Sequence, residues 1–160
     1  SGPEGADGRA MARALYAALD GAGEVIAQTG GGSEPATGAY TATYRLAPGV
    51  HAAIETASAT ARVSGDRLEL WMAAQSPATA LAAAARAVNR DPADAVLYPV
   101  FAGGSFDARL DHTHAIEVAV IAEAVGRPVQ LTWPRRQEWL ALPPRAPVHA
   151  RLSANLGRGG

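Results

Sequence analysis

The residues with the clearest chemical potential are Gly103, Gly104, Ser105 and Phe106, which stand between a β-like run and an apolar helix. Small residues leave main-chain amides accessible, and amides near a helix N-terminus bind oxyanions and phosphates. The turn is therefore a candidate anion site. It lacks the Gly-Lys-Ser/Thr of a P-loop and the spacing of a dinucleotide-binding motif, and a plain connection is the commoner reason for a Gly-Gly turn.

Two other polar residues occupy unusual positions in apolar surroundings. Gln75 follows the apolar run 68–74 and precedes Ser76-Pro77, while Glu55 is the one acid in the stretch AAIETASATARV. A glutamine at a strand end can donate a hydrogen bond to an oxo or carbonyl oxygen in a cleft. Completion of the following helix cap explains Gln75 equally well, and an edge position facing solvent is the simple alternative for Glu55.

The remaining polar residues form no complete catalytic set. Spacing reveals neither a Ser–His–Asp triad nor a close pair of carboxylates. Two histidines that are two positions apart share a face only in an extended segment, so a metal site at His112 and His114 is the weaker interpretation. For the loose basic group we expect a solvated face; it consists of Arg135, Arg136 and Arg145.

Hydrophobic periodicity and turn residues predict the elements that must position these groups, and the mixture indicates an α+β fold with a mixed sheet, hairpins and packed helices. Gly65 favours a hairpin, Pro99 an edge strand or a bulge, and residues 29–38 a loop. The helix after Asp111 or Thr113 has little polar face and is expected to be mostly buried. Helices are predicted over 11–19, 77–88 and about 113–125, and strands over 24–28, 40–46, 54–63, 67–74, 96–101, 129–133 and 149–156.

Composition and net charge argue against several classes of protein and kinds of site. The chain has 160 residues, a formal net charge of −1 and no cysteine. The charge argues against a general nucleic-acid or anionic-membrane binder, and the lack of cysteine excludes disulfides, thiolate catalysis and iron–sulfur ligation within the chain. No apolar stretch is long enough to span a bilayer and no signal peptide opens the chain, so membrane insertion is not expected and a periplasmic or cytoplasmic location is open. We expect a flexible leader at 1–8, one domain at 9–156 and a flexible tail at 157–160.

The order of several motifs resembles a known family. The series runs from His51–Glu55 through Trp71–Gln75 and GGSF at 103–106 to Arg109–Asp111 and the stretch 126–135, which reads GRPVQLTWPR. It resembles the molybdopterin-binding subunits of the molybdenum hydroxylases, the xanthine dehydrogenase and aldehyde oxidase family, in particular the isoquinoline 1-oxidoreductase β-subunit type. The resemblance extends over about residues 9–156 and implies a molybdenum-cofactor-binding-domain-like fold.

The resemblance also implies roles for individual residues. The glycine turn would approach the molybdopterin cofactor, and Gln75 would hydrogen-bond a molybdenum oxo ligand. The family reaction hydroxylates a carbon next to a ring nitrogen, or an aldehyde carbon, with oxygen from water. The implied partners are the remainder of the large subunit and a 2Fe-2S subunit. The cofactor, with a cytosine dinucleotide form as one alternative, belongs to the complete enzyme and is expected to be absent from the isolated chain. The implied cofactor-binding set is Gln75, Gly103, Gly104, Ser105, Phe106 and Arg109.

This sequence departs from the family pattern, which usually reads Gly-Gly-Gly-Phe-Gly followed by Arg-Arg-Leu-Glu. Ser105 replaces the third glycine, Asp107 the fourth, and Ala108 the first arginine. Leu110 stands where the xanthine-type branch has a glutamate. The family's catalytic base lies in a later segment that has no match here, so we predict no catalytic residue and no metal ligand in this chain, and no activity of the chain alone. The alternative is a non-catalytic relative that serves in assembly or interaction.

Overall fold

The computed structural model describes residues 7–30 and 39–155. The chain divides into two units, one formed by residues 1–49 with 145–160 and the other by residues 50–144. Residues 1–6 of the predicted leader, the predicted tail at 157–160 and most of the predicted loop at 29–38 lie outside the described residues. Those expectations remain predictions.

The first unit contains one helix and a two-stranded antiparallel sheet. Helix α1 (Gly8–Ala18) begins at Asp7, whose side chain accepts a hydrogen bond from the Arg9 amide. Strand β1 (Tyr40–Leu46) pairs with the last strand of the chain, β6 (Val148–Ala154). The predicted helix and both of these strands are confirmed. The predicted strand at 24–28 is wrong, because this segment pairs with no other described strand and leaves Val25 and Ile26 exposed to solvent.

The second unit is built on a four-stranded mixed sheet in the order β4-β3-β2-β5. Strands β2 (Ser58–Ser64) and β3 (Arg67–Met72) form the predicted hairpin, and Gly65 adopts φ +57° in its turn. Strand β4 (Ala95–Pro99) lies parallel to β3 at the sheet edge, where Pro99 costs no interior ladder bond. Strand β5 (Val129–Thr132) runs antiparallel to β2 on the other side. The α+β fold class is confirmed.

Helices α2 (Pro77–Ala87) and α3 (Thr113–Val125) cover the sheet with small side chains. Pro77 occupies the first turn of α2, as predicted, and Gly126 ends α3 in the left-handed region at φ 67°. The alanine-rich sequence has a packing reason, because small side chains let two helices and a sheet approach closely. Nine of the buried core residues are alanines: Ala59, Ala61, Ala80, Ala84, Ala85, Ala95, Ala115, Ala119 and Ala122.

Two predictions about this region need correction. Helix α3 is buried on one face only, since Val120, Ile121 and Val125 are 37–47% exposed on the other. The N-cap of α3 is His112, whereas the sequence suggested Asp111 or Thr113. The Asp111 carboxylate nevertheless accepts a hydrogen bond from the Thr113 amide at 2.8 Å. A fourth helix, α4 (Arg135–Ala141), lies where the sequence suggested only a basic cluster.

Candidate functional site

The predicted cofactor-binding residues meet beyond the carboxyl ends of strands β3 and β4. Gln75 comes three residues after β3, and the turn at 103–106 follows β4. Because β3 and β4 are parallel neighbours, the segments that leave their carboxyl ends emerge together. Two hydrogen bonds join them: the Gln75 amide donates to the Arg109 carbonyl at 2.9 Å, and the Arg109 amide donates to Gln75 Oε1 at 3.2 Å. The structure therefore places Gln75 beside the turn.

The turn has an unusual backbone. Gly104 adopts φ +96°, and Phe106 and Asp107 adopt φ +49° and +70°. Residues other than glycine occupy this left-handed region at a cost of about 1 kcal/mol or more. Asp107 thus stands, in a conformation that suits glycine, at the position where the resembling family usually has glycine. The Phe106 side chain is 71% exposed, so the turn is not buried in the core.

Gly103 is required by a neighbouring segment. A Cβ atom on Gly103 would lie 2.6 Å from Glu55 Cβ, well inside van der Waals contact. The Gly103 amide donates to Glu55 Oε2 at 2.6 Å, so this amide is already occupied within the chain. The sequence suggested that both glycines admit a ligand; at Gly103 the structure supplies a different reason for the small residue, which is the close approach of Glu55.

The next four amides in the chain have no such partner. In the part of the chain that the structure describes, the amides of Gly104, Ser105, Phe106 and Asp107 donate no hydrogen bond to another main-chain or side-chain atom. Consecutive free amides in a turn of mixed handedness are typical of anion-binding nests. The donor set therefore fits a phosphate-bearing or oxo-bearing group.

Arg109 adds positive charge beneath this turn. Its Nε donates to the Gly104 carbonyl at 3.2 Å, and its Nη2 lies 3.5 Å from Glu55 Oε2. The Arg109 side chain is only 9% exposed, against 49% for Glu55. The guanidinium is thus fixed by the turn and by Glu55 together. Glu55 is exposed, as the solvent-facing alternative expected, and its carboxylate also contacts Arg109 and Gly103.

Asp107 is the residue that fits an anionic ligand least well. Its Oδ1 lies 3.4 Å from Gln75 Nε2, which makes a long hydrogen bond with the amide group assigned by resemblance to an oxo ligand. The Asp107 carboxylate also brings negative charge to the rim of the turn. Any anion bound here must compete with this side chain for the Gln75 amide.

The histidines do not form a metal centre. His114 is 5% exposed, its Nε2 lies 3.1 Å from the Leu131 carbonyl, and its ring packs edge-on against Trp133. Burial lowers the pKa of His114, which favours the neutral ring. Its Nδ1 lacks a hydrogen-bond partner within the described structure. Among residues 7–30 and 39–155, no three His, Asp or Glu side chains are grouped to hold a metal ion.

A network that sequence reasoning missed supports the segment before β2. Arg135 donates to the Ala53 and Ile54 carbonyls and to Glu138 Oε2, and Glu138 Oε1 accepts the Ala57 amide at 3.1 Å. Glu138 is only 3% exposed. The other two arginines of the expected solvated face are exposed, whereas the Arg135 side chain is half-buried and bonded within this network. The spacing of Arg135 and Glu138 on one helix face was the available signal.

A small cavity of about 20 Å³ lies between this network and the turn. Its lining includes Arg109, His114, Trp133 and Glu138. A cavity of this size accommodates about one water molecule.

The comparison with protein families identifies the domain. The family model of the molybdopterin cofactor-binding domain, which describes the sequences of that family, matches residues 23–160 of this chain. This chain belongs to that family. The predicted resemblance to the molybdenum hydroxylases is therefore confirmed at the level of the family, while the isoquinoline-type branch stays a prediction. No individually curated protein matches the sequence at a significant level.

Three solved structures of larger proteins have a fold similar to part of this chain. The aldehyde oxidoreductase of Desulfovibrio gigas is 26% identical, with a TM-score of 0.59 over 68% of this chain. The aldehyde oxidoreductase of Desulfovibrio desulfuricans (22% identity, TM-score 0.58, 73% of this chain) and the quinoline 2-oxidoreductase of Pseudomonas putida (21%, 0.54, 62%) share the fold. The matched region spans only 12–13% of each of those chains.

The described helices were also compared with the length and apolarity that a membrane span needs. None of those in the described ranges is long and apolar enough to cross a bilayer.

Proposed function

We propose that this domain forms part of the molybdopterin site in the large subunit of a molybdenum hydroxylase. The observation that carries the proposal is the run of free amides at Gly104–Asp107 next to Gln75 and the fixed guanidinium of Arg109. Main-chain amides are suitable donors for the oxygen atoms of a phosphorylated cofactor, and a nearby guanidinium offsets part of its negative charge. Family membership supports the identity of the cofactor.

The residues of this chain have distinct tasks in the proposed site. The turn residues Gly103, Gly104, Ser105 and Phe106 would bring the main chain to the cofactor. Gln75 would donate its side-chain amide to an oxo ligand of the cofactor, and Arg109 would offset part of its negative charge. When bound, the cofactor supplies the two-electron oxidation and the water-derived oxygen of the hydroxylation.

The complete enzyme requires chain segments and partners beyond this domain. The proposed partners are the remainder of the large subunit and a 2Fe-2S subunit, which accepts the electrons. The proposed substrate is an N-heterocycle or an aldehyde, the isoquinoline 1-oxidoreductase type being the favoured branch and the cytosine dinucleotide pterin one form of the cofactor. Because no residue here matches the family's base glutamate, we propose that the isolated chain is inactive and carries no bound cofactor.

Metal and pterin analysis of the assembled protein tests this function. The domain is co-expressed with its genomic neighbours, and molybdenum and pterin are measured in the purified complex. Gln75→Ala is expected to lower molybdenum occupancy, whereas Gln130→Ala, an exposed glutamine on β5, is the matched control and leaves it unchanged. A complex without molybdenum, or one that Gln75→Ala does not affect, would contradict the proposal.

The second candidate function is a non-catalytic assembly or interaction module. The specific observation that favours it is the contact of Asp107 with Gln75, since a carboxylate now accepts from the amide proposed for the oxo ligand. Near-stoichiometric molybdenum in the purified complex excludes this alternative.

A further inference from the structure

Glu55 contacts the glycine turn at its first residue, although the proposed cofactor-binding set does not include it. Its Oε2 accepts the Gly103 amide at 2.6 Å, and its own amide lies 3.5 Å from the Gly103 carbonyl. The absent Cβ of Gly103 makes this approach possible. Side chain and main chain of one residue therefore hold the start of the turn.

The same carboxylate contacts the cation beneath the turn. Arg109 Nη2 lies 3.5 Å from Glu55 Oε2 and 3.4 Å from the Glu55 carbonyl, while Arg109 Nε binds the Gly104 carbonyl. Glu55 thus restrains both the Gly103 amide and the Arg109 guanidinium, the two donors on either side of the free amides. An anion that binds at the turn therefore finds both of these donors already paired with Glu55.

The segment that carries Glu55 is itself anchored. The Ala53 and Ile54 carbonyls accept from Arg135, and the Ala57 amide donates to the buried Glu138. Anchors on both sides of Glu55 limit the freedom of its main chain. A carboxylate on a fixed segment can define the position of the turn, whereas one on a free loop would follow it.

We infer that Glu55 is a positioning residue, which holds the Gly103 amide and Arg109 so that only the amides of residues 104–107 face an anionic group. The inference rests on the proposed function, because the anionic group is the phosphorylated part of the cofactor. Without the carboxylate, the Gly103 amide and Arg109 become free donors. Anion binding then moves to them and away from residues 104–107.

The test uses the full chain, backbone amide NMR and inorganic phosphate as the probe. In the unaltered protein, phosphate is expected to shift the amide signals of residues 104–107. In Glu55→Ala, the response moves to Gly103 and the Arg109 side chain, and Gly103 amide exchange becomes about tenfold faster, the factor that matches one lost hydrogen bond. Glu55→Gln keeps an acceptor oxygen and is expected to restore both the slow exchange and the original response.

A merely structural role gives a different pattern. It predicts faster exchange throughout the second unit, including the buried face of α3, instead of a change confined to the turn. Asp66→Ala, which removes an exposed carboxylate from the β2–β3 turn, is the matched control for charge and leaves the response at residues 104–107 in place. Should Glu55→Ala fail to fold, Glu55→Asp, which retracts the carboxylate by one methylene, is expected to relocate the response in the same way.

The outcomes separate the two proposals. A phosphate response at residues 104–107 that Glu55→Ala leaves unchanged overturns the role of Glu55 and leaves the proposed site intact. No response there in the unaltered protein contradicts the anion site itself, and the inference about Glu55 with it.

Discussion

Removal of the Glu138 carboxylate should destabilise the second unit strongly. Glu138 is 3% exposed, accepts the Ala57 amide at 3.1 Å and pairs with Arg135 at 2.6 Å. Breaking a buried pair by removing one partner costs about 3–5 kcal/mol. The Arg135 side chain is 31% exposed and keeps two carbonyl acceptors, so solvent screening reduces the expected loss for Glu138→Ala to about 2–3 kcal/mol of unfolding free energy.

The conservative variant separates the charge from the hydrogen bond. Glu138→Gln keeps an oxygen for the Ala57 amide and loses only the ion pair, so we expect a loss of about 1 kcal/mol. Denaturant unfolding followed by tryptophan fluorescence is a suitable assay, because all three tryptophans, at 71, 133 and 139, lie in the second unit. The slope of the free energy against denaturant should not change.

A surface pair provides the control for this experiment. Glu123 is 42% exposed and pairs with Arg90, so Glu123→Ala should cost no more than about 1 kcal/mol. If Glu138→Ala were no more destabilising than Glu123→Ala, the argument that this pair anchors the segment before β2 would be refuted.

Three further changes have defined outcomes. Gly103→Ala places a Cβ atom 2.6 Å from Glu55 Cβ and should lower the unfolding free energy by about 1–3 kcal/mol in denaturant unfolding. Trp133→Phe removes the 2.7 Å hydrogen bond from Nε1 to Glu117 and should cost about 1–2 kcal/mol in the same assay. Burial lowers the pKa of His114 below 6.5, so its contribution to stability is complete above pH 6.5 and is lost as pH falls from there through the lower folded pKa; denaturant unfolding across a pH series measures this slope.

Each of these has a control and a contrary result. Gly23→Ala has open space around its Cβ, and an equal loss there would contradict the steric argument for Gly103. Trp139 is 50% exposed, so Trp139→Phe should be close to neutral, and a similar cost for both tryptophans would show that the hydrogen bond contributes little. The pH slope should disappear in His114→Phe, and its persistence would assign it to other groups.

Local sequence signals predicted most of the elements because they depend on neighbouring residues. The Gly65 turn, the Ser76-Pro77 start of α2 and the end of α3 at Gly126 need only backbone conformations that these residues favour. The prediction of a strand at 24–28 was wrong because strand formation depends on a partner that is distant in sequence. An apolar extended segment becomes a strand only if another strand pairs with it, and no local pattern supplies that partner.

In the candidate site, too, some features were predicted from local sequence and others depended on tertiary contacts. Residue types and motif order identified Gln75 and the 103–106 turn, and the parallel pairing of β3 with β4 brought them together. The roles of Glu55, Arg135 and Glu138 depend on contacts between residues about 50 to 80 positions apart, so tertiary structure alone decided them. The sequence predicted which residues are candidates for cofactor binding, because the glycines of the turn and the polar side chains near it are properties of single residues. The folded chain determined which amides remain free, because hydrogen-bond partners are set by distance in space.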